Sequence, residues 1–156
     1  MKDPLVQALS KLANKVYSFR EMQHLLTSSG YTQEEITSVL ERLVGWGYLD
    51  DEKLAESIYS YHVKYKPCGK SMLLKKMLHK GIPADVAGSV LSNLDEAMEL
   101  SLAQKLTDKY TARKRGLVPQ KLAMKTAHYL KTKGFSTKTI RIIMENFRAF
   151  DDQHSD

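Results

Sequence analysis

Residues 26–36 read Leu26-Thr27-Ser28-Ser29-Gly30-Tyr31-Thr32-Gln33-Glu34-Glu35-Ile36, and Val39, Leu40 and Leu43 follow. The apolar positions from Ile36 to Leu43 return every three or four residues, the interval of one helix face. Thr32 with Glu35 matches a capping box at a helix start. Gly30 fits the end of a preceding helix, where a positive φ costs glycine little. The stretch therefore reads as helix, glycine turn, helix.

The pattern occurs twice more. Gly81 and Gly134 stand 51 and 53 residues further along in turn. Tyr31, Ile82 and Phe135 follow the three glycines, then Thr32, Pro83 and Ser136, all helix-start residues. Leu26, Met77 and Leu130 precede them, and Val39, Val90 and Ile143 fall at one shared downstream position. The spacing leaves room for a further helix upstream of each pair. Helices are expected at 4–17, 19–29, 33–46, 51–66, 70–80, 83–94, 95–115, 119–133 and 137–150. Breaks fall at Gly45-Trp46-Gly47, at Lys66-Pro67-Cys68-Gly69 and at Arg115-Gly116-Leu117-Val118-Pro119. The expected fold is all-α: three tandem three-helix repeats forming an elongated, curved body. The repeats span 1–50, 51–94 and 95–150, with a disordered polar tail at 151–156.

The chain has 156 residues, 42% of them hydrophobic, with four prolines and eight glycines, a composition able to build a core. No apolar run approaches the ~20 residues of a membrane span. The opening Met1–Ser10 shows no secretory signal. Cys68 is the single cysteine, so no internal disulfide forms. A cytoplasmic monomer is expected.

Charge is uneven along the chain. The net is +6 overall, −1 over residues 1–50, +3 over 51–94 and +4 over 95–156. Residues 103–148 hold twelve basic groups against Asp108 and Glu145. Such a balance suits an acidic partner.

Catalytic and metal motifs are not found. Gly69-Lys70-Ser71 resembles the end of a phosphate loop, but Lys64 stands where that loop needs its first glycine, and the preceding segment reads as helix. His24, His62, His79, His128 and His154 lack metal-ligand spacing. No enzyme activity and no cofactor are expected. Asp50 and Asp51, between two helices, read as caps. Trp46, Tyr48 and Leu49 beside them read as core.

The basic residues carry more information. Lys64, Lys66, Lys70, Lys75, Lys76 and Lys80 occur between Glu56 and Asp85 with no acidic residue among them. Lys75, Lys76, His79 and Lys80 share an outward sector of one helix. Lys121, Lys125 and His128 form a stripe. Arg113, Lys114 and Arg115 precede it, and Lys138 and Arg141 follow on the last helix. These residues form the expected partner- or nucleic-acid-binding surface.

Three motifs, in order, resemble the RecX family of bacterial recombinase regulators. Gly47-Tyr48-Leu49-Asp50-Asp51 with Ala55 is similar to that family's signature at the close of the first repeat. Gly69 with Leu78-His79-Lys80-Gly81-Ile82 is similar to its second-repeat pattern. Leu130-Lys131-Thr132-Lys133-Gly134-Phe135-Ser136 is similar to its closing segment. The likeness covers about residues 5–148. Ser71-Met72-Leu73 departs from it, since members commonly carry arginine-isoleucine there. The resemblance implies a mainly structural role for the motif residues. It also implies a non-enzymatic regulator lying in the groove of the RecA–DNA filament, suppressing ATP hydrolysis, strand exchange and repressor cleavage in recombination, repair and the SOS response. Single- or double-stranded DNA is a further expected partner. The alternative is direct DNA binding through helix-turn-helix-like units, with 33–46, 83–94 and 137–150 as recognition helices.

Overall fold

The computed structural model describes residues 2–114 and 116–154, with side chains described through Phe147. Nine helices and no strand occur among the described residues. They are α1 (Pro4–Leu12), α2 (Phe19–Ser28), α3 (Gln33–Gly45), α4 (Asp51–Lys64), α5 (Lys70–Lys80), α6 (Ala84–Leu91), α7 (Glu96–Ala112), α8 (Pro119–Thr132) and α9 (Thr137–His154). The all-α expectation holds.

The repeated glycines explain themselves. Gly30, Gly81 and Gly134 have φ of +91°, +99° and +86°. After each, the next amide reaches back to the carbonyl four residues before the glycine: Tyr31 to Leu26 (3.4 Å), Ile82 to Met77 (3.0 Å) and Phe135 to Leu130 (3.2 Å). Each glycine amide also bonds the carbonyl three residues before it. This is the Schellman helix ending, with its apolar pair buried at all three sites. The spacing seen in the sequence is thus the spacing this cap requires.

Starts are capped as firmly. Thr32 and Glu35 form the expected capping box, and Ser18 with Glu21 forms another that sequence reading passed over. Asp50 Oδ1 accepts from the Lys53 amide at 3.1 Å, and Asp95 Oδ1 from the Met98 amide at 2.8 Å. Two ends differ most from expectation. α1 stops at Leu12 rather than Tyr17, at Asn14, whose side chain and backbone both turn back on the preceding residues. α9 continues to His154, past the expected start of a polar tail, because no glycine or proline interrupts it and each added residue gains a backbone bond. Ser155 and Asp156 lie outside the described residues.

Packing groups the chain into two compact units, Met1–Ile58 with Lys76–Val90, and Tyr59–Lys75 with Leu91–Asp156. In the first, Ala8, Met22, Leu26, Tyr31, Ile36, Val39, Leu40, Leu43 and Leu49 form one core. Ser18 Oγ donates to the Lys80 carbonyl at 2.7 Å, and Gly81 lies so close to Ser18 that a Cβ would collide with that hydroxyl.

In the second unit, α7, α8 and α9 pack on one another around Leu102, Ala103, Leu106, Leu130, Phe135 and Ile143. Glu99 is buried on α7 and its carboxylate accepts from the Ser136 amide at 3.1 Å, satisfying a donor at the start of α9. Every buried side-chain polar atom among the described residues has a partner.

One core expectation is overturned. Leu49 is buried, but Trp46 and Tyr48 are 55% and 54% exposed. Gly47, at φ +81°, reverses the chain, and the amides of Tyr48 and Leu49 both bond the Leu43 carbonyl. The reversal returns Leu49 to the Leu43 core and leaves Tyr48 outside. Arg42 lies over the Trp46 ring, 5.8 Å from its centre.

Candidate interaction surface

α8 begins at Pro119, where a proline costs no intrahelical bond. It turns Thr126 and Leu130 inward and keeps Lys121, Lys125 and His128 exposed, so the stripe read from the sequence is a real surface feature. Thr126 spends its hydroxyl on the Leu122 carbonyl at 2.8 Å, which lets it sit in the core.

Arg113 caps α7 and is exposed, as is Lys114; Arg115 lies outside the described residues. Arg141 is exposed on α9. Lys138 is exposed too, but its ammonium lies 2.8 Å from the Glu96 carboxylate. Both partners face solvent, so the pair adds little stability, ~0–1 kcal/mol. Its consequence is to offset part of the local positive charge.

A feature between α7 and α8 escaped the sequence reading. Tyr110 and Tyr129 stack face to face, centroids 4.4 Å apart and planes 10° from parallel. Lys114 sits 5.4 Å from the Tyr110 ring centre and Lys133 5.6 Å from that of Tyr129. The stack positions a cation at either side and contributes roughly 0.5–1.5 kcal/mol beyond area burial. The signal was present: each tyrosine precedes its lysine by four residues, one helical turn.

The α5 sector is narrower than expected. Lys75 and Lys76 are exposed. Lys80 is not an outward cation: its ammonium lies 2.9 Å from Glu21 Oε1 and donates to the Val16 carbonyl at 3.1 Å, with the side chain 27% exposed. Glu21 feels burial first, which raises its pKa. The Ser18 amide and the Lys80 ammonium outweigh this and hold it below the ordinary 4.5.

Several motif residues are built into the fold, whereas Tyr48 stands outside it. Leu49, Ala55, Gly69 and Phe135 are buried. Asp50 caps α4, whereas Asp51 accepts from the Phe19 amide at 3.0 Å and so serves the start of α2. No group of acidic, histidine or cysteine side chains able to hold a metal occurs among the described residues. Among the described residues no helix is long and apolar enough to cross a membrane.

No family model matches the chain. The RecX regulatory protein of Bacillus licheniformis is 27% identical over 145 residues, 93% of this chain and 55% of that protein. That of Clostridioides difficile is 26% identical, covering 94% of this chain and 68% of its own length. That of Chlorobaculum tepidum is 27% identical, covering 88% and 83%. The chain thus spans little more than half the length of some curated relatives. The crystal structure of RecX from Lactobacillus salivarius superposes with a TM-score of 0.83 over 94% of this chain and 95% of that one, at 20% identity. A second RecX crystal structure gives 0.78 at 22% identity.

Fold and surface together define an all-α protein with basic side chains on exposed helix faces. The curated relatives agree along nearly the whole chain. Along that length the chain is similar to the RecX regulatory proteins, and it shares their fold.

Proposed function

We propose that this chain regulates RecA by binding its nucleoprotein filament, acting as a cytoplasmic, non-enzymatic and cofactor-free modulator of recombination, repair and the SOS response. Binding lowers ATP hydrolysis, strand exchange and coprotease activity. The observation that carries the reading is the α8 stripe: Lys121 and Lys125 stay exposed, as do Arg113, Lys114 and Arg141, in a segment with twelve basic groups and two acidic ones. A filament presents acidic protein surface and phosphate together, and such charge steers a cationic ligand. The helix-turn-helix alternative is less well supported, since α6 carries Asp85 and no basic residue.

The test is RecA ATP hydrolysis on single-stranded DNA, titrated with this protein. A fall at substoichiometric ratios is expected, because one molecule at a filament end blocks many subunits. An unchanged rate at equimolar protein overturns the proposal.

A further inference from the structure

Three tyrosines lie in and just beyond the last turns of α4, and their surroundings differ. Tyr59 is half-buried and its hydroxyl donates to Met98 Sδ at 3.5 Å. Tyr61 and Tyr65 are 47% and 62% exposed. Their ring centroids lie 5.7 Å apart with planes tilted by 46°. Tyr65 stands one residue beyond α4 but keeps its register, its amide bonding the Tyr61 carbonyl at 2.8 Å. The two rings therefore stand one helical turn apart on a backbone that holds them.

Lysines flank this pair along the chain. Lys64 Nζ lies 5.3 Å from the Tyr65 ring centre. Lys64, Lys66 and Lys70 are exposed, and no residue from 57 to 84 is acidic. The turn joining Lys66 to Lys70 is fixed from beneath: Cys68 and Gly69 are buried, and the Gly69 amide donates to the Lys133 carbonyl at 2.7 Å. A preorganised platform of this kind loses little entropy on binding.

The fold does not need these rings outside, since α4 already packs through Leu54 and Ala55, both buried. Aromatic faces interleaved with lysines match one ligand chemistry, unpaired bases on a phosphate backbone. A duplex hides its base faces and would engage the lysines alone. An acidic peptide would leave the rings unmatched.

We propose that Tyr61 and Tyr65 form a base-stacking platform for single-stranded nucleic acid, with Lys64, Lys66 and Lys70 contacting its phosphates. The site needs no second protein, so it stands apart from the reading of RecA regulation.

The experiment is fluorescence anisotropy of the full chain, without RecA, on a labelled oligothymidylate of about 15 nucleotides, near the upper site size of such platforms. The comparison probes are an abasic strand and a duplex of equal length. The thymidylate is expected to bind at least several-fold tighter than either. Replacing both rings, Tyr61→Ala with Tyr65→Ala, should weaken it about tenfold or more, as loss of base stacking does. Tyr61→Phe with Tyr65→Phe keeps the rings and should bind as the native chain does. Circular dichroism checks that each variant folds. Lys64→Glu with Lys66→Glu should make the salt dependence shallower. Equal binding of thymidylate and abasic strands, tighter binding of the duplex, an alanine pair that binds like the native chain, or no binding at all each overturns the platform. RecA inhibition measured alongside would be untouched by that failure.

Discussion

Gly69 rests on the backbone of Gly134. A Cβ on Gly69 would overlap the carbonyl of Gly134 and the amide of Phe135, and a Cβ on Gly134 would overlap the backbone of Met72. The start of α5 and the turn before α9 thus meet backbone to backbone, tied by the bond from Gly69 to Lys133. Gly69, at an ordinary φ, is required for space; Gly134, at φ +86°, for space and conformation together.

Gly69→Ala should therefore destabilise the chain by roughly 1–3 kcal/mol, the cost of overpacking against groups that cannot yield. Gly88 is the control. It lies exposed inside α6 with nothing near its missing Cβ. Gly88→Ala should stabilise by roughly 0.5–1 kcal/mol through helix propensity. Thermal unfolding by circular dichroism reads both, and shifts of the same sign would contradict the packing described.

Leu49 and Tyr48 are neighbours with opposite surroundings. Leu49→Ala should cost ~2–5 kcal/mol, as a core truncation does. Tyr48→Ala should stay within roughly 0.5 kcal/mol, as exposed substitutions usually do. Urea denaturation of the two variants separates them; a larger loss for Tyr48 would refute the burial assigned here.

Glu21 gives a dependence on acid. Its folded pKa lies below the unfolded 4.5. The stabilisation it provides is therefore complete above pH 4.5 and is lost as pH falls through the lower folded value. Glu21→Gln keeps a capping side chain but drops the charge that holds Lys80. The native chain should be more stable than this variant at pH 7, and the two should converge in acid. Melting temperatures measured from pH 7 down to about 3, below the unfolded pKa, check it; a constant gap would mean the carboxylate charge is irrelevant.

Lys121→Glu with Lys125→Glu should leave helicity intact, since glutamate is also a good helix former. Binding to RecA filaments should weaken, with a shallower salt dependence because fewer counterions are released. Binding equal to the native chain at every salt concentration would reduce the α8 stripe to a solvated face.

The amino-acid sequence by itself determined the nine helices, the glycine endings and most of the caps. These depend on residues within about a turn of one another, so Leu26, Gly30 and Tyr31 already contain the Schellman ending. It also determined the exposed stripe on α8, because one helix sets which of its own residues share a face. Only the tertiary structure decided which outward charges remain available. Lys80 reads like Lys76 along the chain, yet α2 brings Glu21 against it and removes it from the basic surface. Likewise Leu49 and Tyr48 exchange fates through the reversal at Gly47, and the Tyr110–Tyr129 stack exists only because α7 and α8 pack side by side. Burial, ion pairing and stacking are set by which distant segment arrives at a residue, and local spacing carries no record of that arrival.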